Sequence, residues 1–189
     1  MKAAVCTRCA TLHSVFAILM LMGIVFREYR ESDRKELVRC IGLLQDHVAN
    51  LDPLHRIRRL KDFDVDTYVT RSFEQVKKYD GAVFIAEDQA KMIGCVIGVV
   101  HKDDPETDIE RYPSINGKIL ELIVLPEYRG QRVGNELMQR MEQYFASKNC
   151  DVITVECFAP NEDAYQFYKK LNYMDRDHIL IKSIKKLQS

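Results

Sequence analysis

The sequence predicts a single α/β domain folded around a mixed sheet. Two amphipathic helical patterns come early, a pair of apolar runs joined by a short turn comes next, and strand and helix signals then alternate toward the C-terminus. No repeat, low-complexity tract or linker interrupts that order, and 189 residues suit one core rather than two.

Taken in order, Ile24–Tyr29 reads as the first strand. Ser32 or Asp33 is placed to cap a helix, with Glu36 three residues past Asp33 as a capping-box partner. Leu37, Ile41, Leu44 and Val48 give that helix one apolar stripe, and Asp52-Pro53 ends it. A basic connection from His55 to Lys61 leads to a second helix from about Asp66, with Val69, Phe73 and Val76 on one face. After the Tyr79-Asp80-Gly81 turn, Ala82–Glu87 and Ile93–His101 read as a hairpin. An acidic loop carrying Asp103, Asp104, Glu106, Asp108 and Glu110 precedes a strand at Lys118–Leu125, which Pro126 stops. A helix from about Gly134 lines up Leu137, Met138, Met141, Tyr144 and Phe145. Strand Asp151–Phe158, a short helix from Asp163 to Leu171 and a last strand at Ile179–Ile184 complete the pattern.

Lys plus Arg balance Asp plus Glu at 28 each, so no global field draws the chain to nucleic acid or to an anionic membrane. Four of the six cysteines lie inside apolar strand or helix patterns, where a free thiol behaves as a small hydrophobe. That usage predicts a reducing, cytoplasmic setting without a disulfide framework. Cys6, Cys9 and His13 offer three zinc ligands with no fourth at a suitable spacing, so no metal is expected. Val15–Phe26, apolar apart from Gly23 and preceded by Lys2 and Arg8, has the outline of a signal-peptide core. It is shorter than the ~20 residues that span a bilayer. No small-x-small cleavage site comes after it. Residues 1–21 are read as an appended, leader-like extension and residues 22–189 as the domain.

The chemistry concentrates between the strand ending at Pro126 and the next helix. A turn bearing Gly130 and Gly134 gathers unpaired N–H groups at the positive end of a helix dipole, and Arg129 and Arg132 add charge. Such a turn suits a phosphate-bearing ligand, and equally a glycine-rich turn that binds nothing. It is neither a Walker loop nor a dinucleotide fingerprint.

The stretch Leu122-Ile123-Val124-Leu125-Pro126-Glu127-Tyr128-Arg129-Gly130-Gln131-Arg132-Val133-Gly134 resembles motif A of the GNAT acetyltransferase superfamily. Arg132 stands where that pattern usually has its first glycine. About 30 residues on, Asn161, Ala164, Tyr168 and Asn172-Tyr173 resemble the superfamily's motif B, with Asn172-Tyr173 in place of Gly-Phe. The resemblance covers roughly residues 22–184. It implies a mixed, mostly antiparallel sheet of six to seven strands flanked by about four helices.

The resemblance also implies acetyl-CoA as cosubstrate and direct transfer of its acetyl group to a primary amine of a small molecule or protein. Leu122, Ile123 and Val124 would pair with the pantetheine arm. Arg129, Gly130, Gln131, Arg132, Val133, Gly134 and Asn135 would seat the pyrophosphate, and Asn161 would hold the pantetheine. Tyr168 would protonate the departing thiolate, although Ala164, Phe167, Tyr168 and Leu171 also form one apolar face on which it could simply pack. For the base, Glu156 is the first choice and Glu121 the second. The early helices, the basic connection and the acidic loop would shape the acceptor side without naming the acceptor. The resemblance allows a homodimer. The alternative is a fold of the same kind that binds acyl-CoA as a sensor, without turnover.

Overall fold

Strands β1 (Ile24–Glu28), β2 (Ala82–Asp88), β3 (Lys91–Lys102), β4 (Ile115–Val124) and β5 (Val152–Val155) lie side by side in chain order. The three pairings from β1 through β4 are antiparallel, and β5 runs parallel to β4. These are the strands of a computed structural model that describes residues 23–103 and 112–184. The leader-like segment 1–21 and nearly all of the acidic loop lie outside the described residues.

Helices α1 (Arg34–Leu51) and α2 (Val65–Lys78) cover one face of the sheet. Their Leu37, Cys40, Ile41, Val65 and Val69 close over Val83, Ile85, Cys95, Ile97 and Ile123. Helix α3 (Val133–Ser147) covers the other face with Leu137, Met138, Met141 and Phe145, all fully buried. Helix α4 (Glu162–Lys170) adds Phe167 and Tyr168 at the margin of that cluster. Both faces being covered, β3 is buried without interruption from Met92 to Val100 and reads as a continuous apolar run. Each buried leucine or phenylalanine contributes about 1.5–3 kcal/mol over its exposed state. Phe145 lies so close to the sheet that a Cβ on Gly98 or Gly117 would come within 2.7 or 2.5 Å of its ring. Glycine is required there by contact.

The sheet has five strands among the described residues, where six to seven were expected. Ile179–Ile184, expected as the last strand, joins no ladder, and Ile179 and Ile184 are 92% and 93% exposed. An apolar pattern meets only half of a strand's needs, because its backbone groups also require a neighbouring strand in register. The β5 pattern is shorter than expected as well, ending at Val155 rather than Phe158.

The start of α1 also differs from expectation. Asp33 does not cap α1 with its side chain. Its carboxylate instead accepts both Arg27 guanidinium nitrogens and the Arg30 backbone N–H. Glu36 is left to pair with Arg39 at 3.0 Å. Ion pairing of Asp33 with Arg27 outcompetes the expected box, because Arg27 on β1 pairs with both Asp33 and Glu87. At α2 the cap is Asp64, whose side chain accepts the Thr67 N–H at 3.0 Å.

Asp52 stops α1 and organises the start of the basic connection. Buried at 6% exposure, its carboxylate accepts the backbone N–H groups of Leu54, Arg56 and Ile57. Those donors hold its pKa below the ordinary aspartate value. A depressed folded-state pKa contributes stability above the unfolded value, and that contribution vanishes as pH falls through the folded one. Asp52→Ala should therefore lower the melting temperature clearly at pH 7. The gap from the parent should narrow as the pH drops below about 4, which calorimetric melts across that range would read.

Candidate active site

Two irregularities in β4 create the opening. Opposite β3, Ile97 pairs with Glu121 and Gly98 with Ile119, so Leu120 is an extra residue, a β-bulge. On its other side β4 pairs with β5 only from Asn116 to Ile119. From Leu120 onward the two strands separate, and the β4 edge at Leu122–Val124 is free of β5. A free strand edge offers N–H and C=O groups to an extended ligand.

The turn after β4 leads into α3 through Gly130, at φ +75°, and Arg132, at φ +64°. Arg132 occupies the left-handed region at the helix N-cap, which explains why glycine is usual at this place in the motif. No side chain caps α3, and its first backbone bond from this end is Glu136 N–H to the Arg132 carbonyl. Val133, Gly134 and Asn135 thus keep their N–H groups aimed out of the helix end, the arrangement that receives phosphate oxygens. Gly130 has open space around its Cβ position, whereas a Cβ on Gly134 would meet the Phe167 ring at 3.2 Å. Arg129 donates from Nε to the Val124 carbonyl, and Gln131 donates to the Glu127 carbonyl. Tyr128, absent from the sequence-derived site, fastens the turn by donating its hydroxyl to Asp88 at 2.9 Å.

Asn161 is the N-cap of α4, with its Oδ1 accepting the Ala164 N–H at 3.3 Å. That cap positions Tyr168 two turns on. The Tyr168 ring packs edge-on against Phe167 and Tyr173, and its hydroxyl makes no hydrogen bond to another described residue. Burial raises its pKa, and its electrostatic neighbours are Cys157 and Glu121.

The two carboxylates picked out in the sequence differ sharply. Glu156 is 85% exposed and paired with Lys118 at 2.7 Å. Glu121 is half-buried on the α2 side of the sheet and accepts a hydrogen bond from the Tyr68 hydroxyl. Burial raises its pKa, and the Tyr68 bond works against that rise. Tyr68, which the sequence did not single out, also lines a cavity of about 330 Å³ between α2 and the β4–β5 edge. Arg71, Ser72, Gln75, Lys118 and Glu156 share that lining. The basic connection lies elsewhere, around a second cavity of about 330 Å³ bounded by His55, Arg56 and Lys61.

Among the described residues no group of three or more His, Cys, Asp and Glu side chains could hold a metal ion. No helix among them is long and apolar enough to cross a membrane.

Comparison with known proteins agrees with this geometry. The sequence profile of the acetyltransferase (GNAT) family matches residues 50–173. Over 106 residues the chain is 30% identical to N-alpha-acetyltransferase 30 of Schizosaccharomyces pombe, covering 56% of this chain and 65% of that one. It is 28% identical over 99 residues to an uncharacterized N-acetyltransferase of Methanocaldococcus jannaschii, covering 52% and 56%. In both cases the chain spans less than two thirds of the relative's length. A mutant BH1408 protein of Bacillus halodurans superposes with a TM-score of 0.74 at 15% identity, over 85% of this chain and 99% of that one. A predicted acetyltransferase of Clostridium acetobutylicum, solved with acetyl-CoA, superposes at 0.64 with 20% identity, over 85% and 96%. These two likenesses are of fold. With its profile match covering α2, the bulged strand, the uncapped turn and the Asn161–Tyr173 segment, the chain belongs to the acetyltransferase (GNAT) family.

Proposed function

We propose that this protein transfers the acetyl group of acetyl-CoA directly to a primary amine of a small molecule or protein. One observation carries the reading: the β4 edge at Leu122–Val124 is free of β5 and runs from Glu121 to the uncapped start of α3. The acetyl-CoA in the similarly folded Clostridium structure supports the choice of cosubstrate.

Acetyl-CoA supplies an activated thioester, and the residues around it divide the remaining work. The free N–H groups of Val133, Gly134 and Asn135 take the pyrophosphate, with Arg129, Gln131 and Arg132 beside them on the turn. Leu122, Ile123 and Val124 hold the pantetheine arm by their backbone. Asn161 closes the other side of the groove.

Glu121 then removes the proton from the ammonium group of the acceptor. An ammonium of pKa about 10 cannot attack until it has lost that proton. Burial makes Glu121 a stronger base than a solvated carboxylate. Glu156 is less suited, since Lys118 and water compensate its charge. Tyr168 gives its proton to the departing sulfur. Its raised pKa keeps it fully protonated at neutral pH.

Three substitutions test these roles. Gly130→Ala places a Cβ in open space at positive φ, at about 1–2 kcal/mol of backbone strain. Calorimetry should show CoA binding weakened at least tenfold, because that open space is where phosphate approaches; equal affinity would move the phosphate seat elsewhere. Tyr168→Phe keeps the ring packing and should lower turnover about 10²-fold or more with CoA affinity unchanged. An undiminished rate would reduce Tyr168 to a packing residue. Glu121 accepts a proton only when ionised, so kcat/KM should fall as pH drops through its raised pKa. Glu121→Gln should remove that acidic limb along with most of the rate.

A further inference from the structure

The Tyr68 hydroxyl lies outside every motif of the family resemblance, and it is the one hydrogen-bond donor that a described residue offers to Glu121. The contact joins residues 53 positions apart, one on α2 and the other beside the bulge of β4. Tyr68 is well placed to keep it. It stands on the first turns of a helix capped by Asp64, and its ring leans on Phe63 at a centroid distance of 5.3 Å. A phenol so held spends one carboxylate oxygen, Oε1, and leaves Oε2 as a proton acceptor. The same ring forms a wall of the cavity beside Lys118 and Leu120, next to Glu121 on β4.

We propose that Tyr68 is a positioning residue for proton removal: its hydroxyl fixes the Glu121 carboxyl in the orientation that meets an amine entering from the cavity. This rests on Glu121 acting as the base. Fixing the carboxyl by one hydrogen bond confines its side-chain rotamer, so the acceptor need not wait for the proton-accepting geometry. The bond also favours the ionised carboxyl and offsets part of the burial that raises its pKa. Tyr68 therefore lets Glu121 sit in an apolar setting while remaining ionised at neutral pH.

Tyr68 from α2 bonds Glu121 directly, Tyr168 from α4 and Cys95 from β3 interact with it electrostatically, and burial raises the pKa of all three. At the cavity, Arg71 and the Lys118–Glu156 pair complete the charged surroundings. Glu156 is exposed and ion-paired with Lys118. A pH-rate limb on the acidic side, removed by Glu121→Gln, therefore belongs to Glu121.

Tyr68→Phe keeps the ring against Phe63 and removes only the hydroxyl, and Tyr68 is exposed enough for the variant to fold. Its acidic limb in kcat/KM should move to higher pH by about half a unit or more, with CoA affinity unchanged. The fall in rate at neutral pH should disappear when Glu121→Gln is already present, because the hydroxyl acts through that carboxyl. A carbon-13 NMR titration of the Glu121 carboxyl should show the same upward shift without any acceptor being supplied. Superimposable pH profiles and titrations for parent and Tyr68→Phe would overturn the proposal while leaving Glu121 as base. Survival of the acidic limb in Glu121→Gln would overturn the assignment of the base, and this inference with it.

Discussion

At Leu120 the central strand β4 carries one residue more than β3 can match, and its ladder with β5 ends at the preceding residue. The extra residue changes the phase of the strand. Ile119 packs toward α3, and strict alternation would send Glu121 the same way, into a cluster of valines, methionines and Phe145. An unpaired carboxylate there would cost several kcal/mol. The bulge turns Glu121 toward α2 instead, within reach of Tyr68. It also bends β4 away from β5 and opens the groove. One local irregularity thus aims the carboxylate and creates the space in front of it.

Such a site is costly to hold. The β4 edge is unpaired beyond Ile119, α3 begins without a side-chain cap, and Arg132 sits in a conformation that L residues adopt at about 1–2 kcal/mol. The scaffold offsets this where the structure is most regular. Strand β3 is covered on both faces, and the fully buried side of α3 is seated on the sheet by Phe145 against Gly98 and Gly117. Tyr128 ties the loop after β4 to Asp88 at the far end of the β2–β3 hairpin. The turn proposed to seat the phosphates is therefore braced by a contact outside the proposed site.

Much of the fold can be read in the sequence, since burial on both faces leaves a strong pattern. The stripes Leu37/Ile41 and Leu137/Met141/Phe145 land in the core as their spacing requires. What misleads is any feature whose partner is remote. Asp33 reads as a cap because Glu36 is three residues away, yet Arg27 and Arg30 claim its carboxylate. Tyr68 has the polar Thr67 on one side and belongs to a helix whose apolar stripe is Val65, Val69 and Phe73. Its role appears only once α2 lies across β4. Its one local signal is an aromatic ring one turn before Ser72 and two before Gln75, the face that lines the cavity. Glu156 and Glu121 look alike in sequence, because strand alternation places each on a face without stating which face is covered. The bulge that decides between them is a register property, and register depends on two strands at once.

The electrostatic state of the groove favours direct transfer over a covalent relay through the protein. Cys157 interacts electrostatically with Tyr168, and burial raises its pKa so that little thiolate forms at neutral pH. Its Sγ faces the backbone carbonyls of Phe158 and Asn161, at 3.9 and 3.8 Å, and no described base stands ready to ionise it. Tyr68 and Tyr168 are likewise kept neutral by burial. Among the described residues there, Glu121 is a half-buried carboxylate steadied by a phenol. A cationic amine is drawn to such a group and can be deprotonated by it, whereas a thioester has no activated nucleophile to meet until that amine arrives. In the proposed reaction, deprotonation of the amine comes before its attack on the thioester.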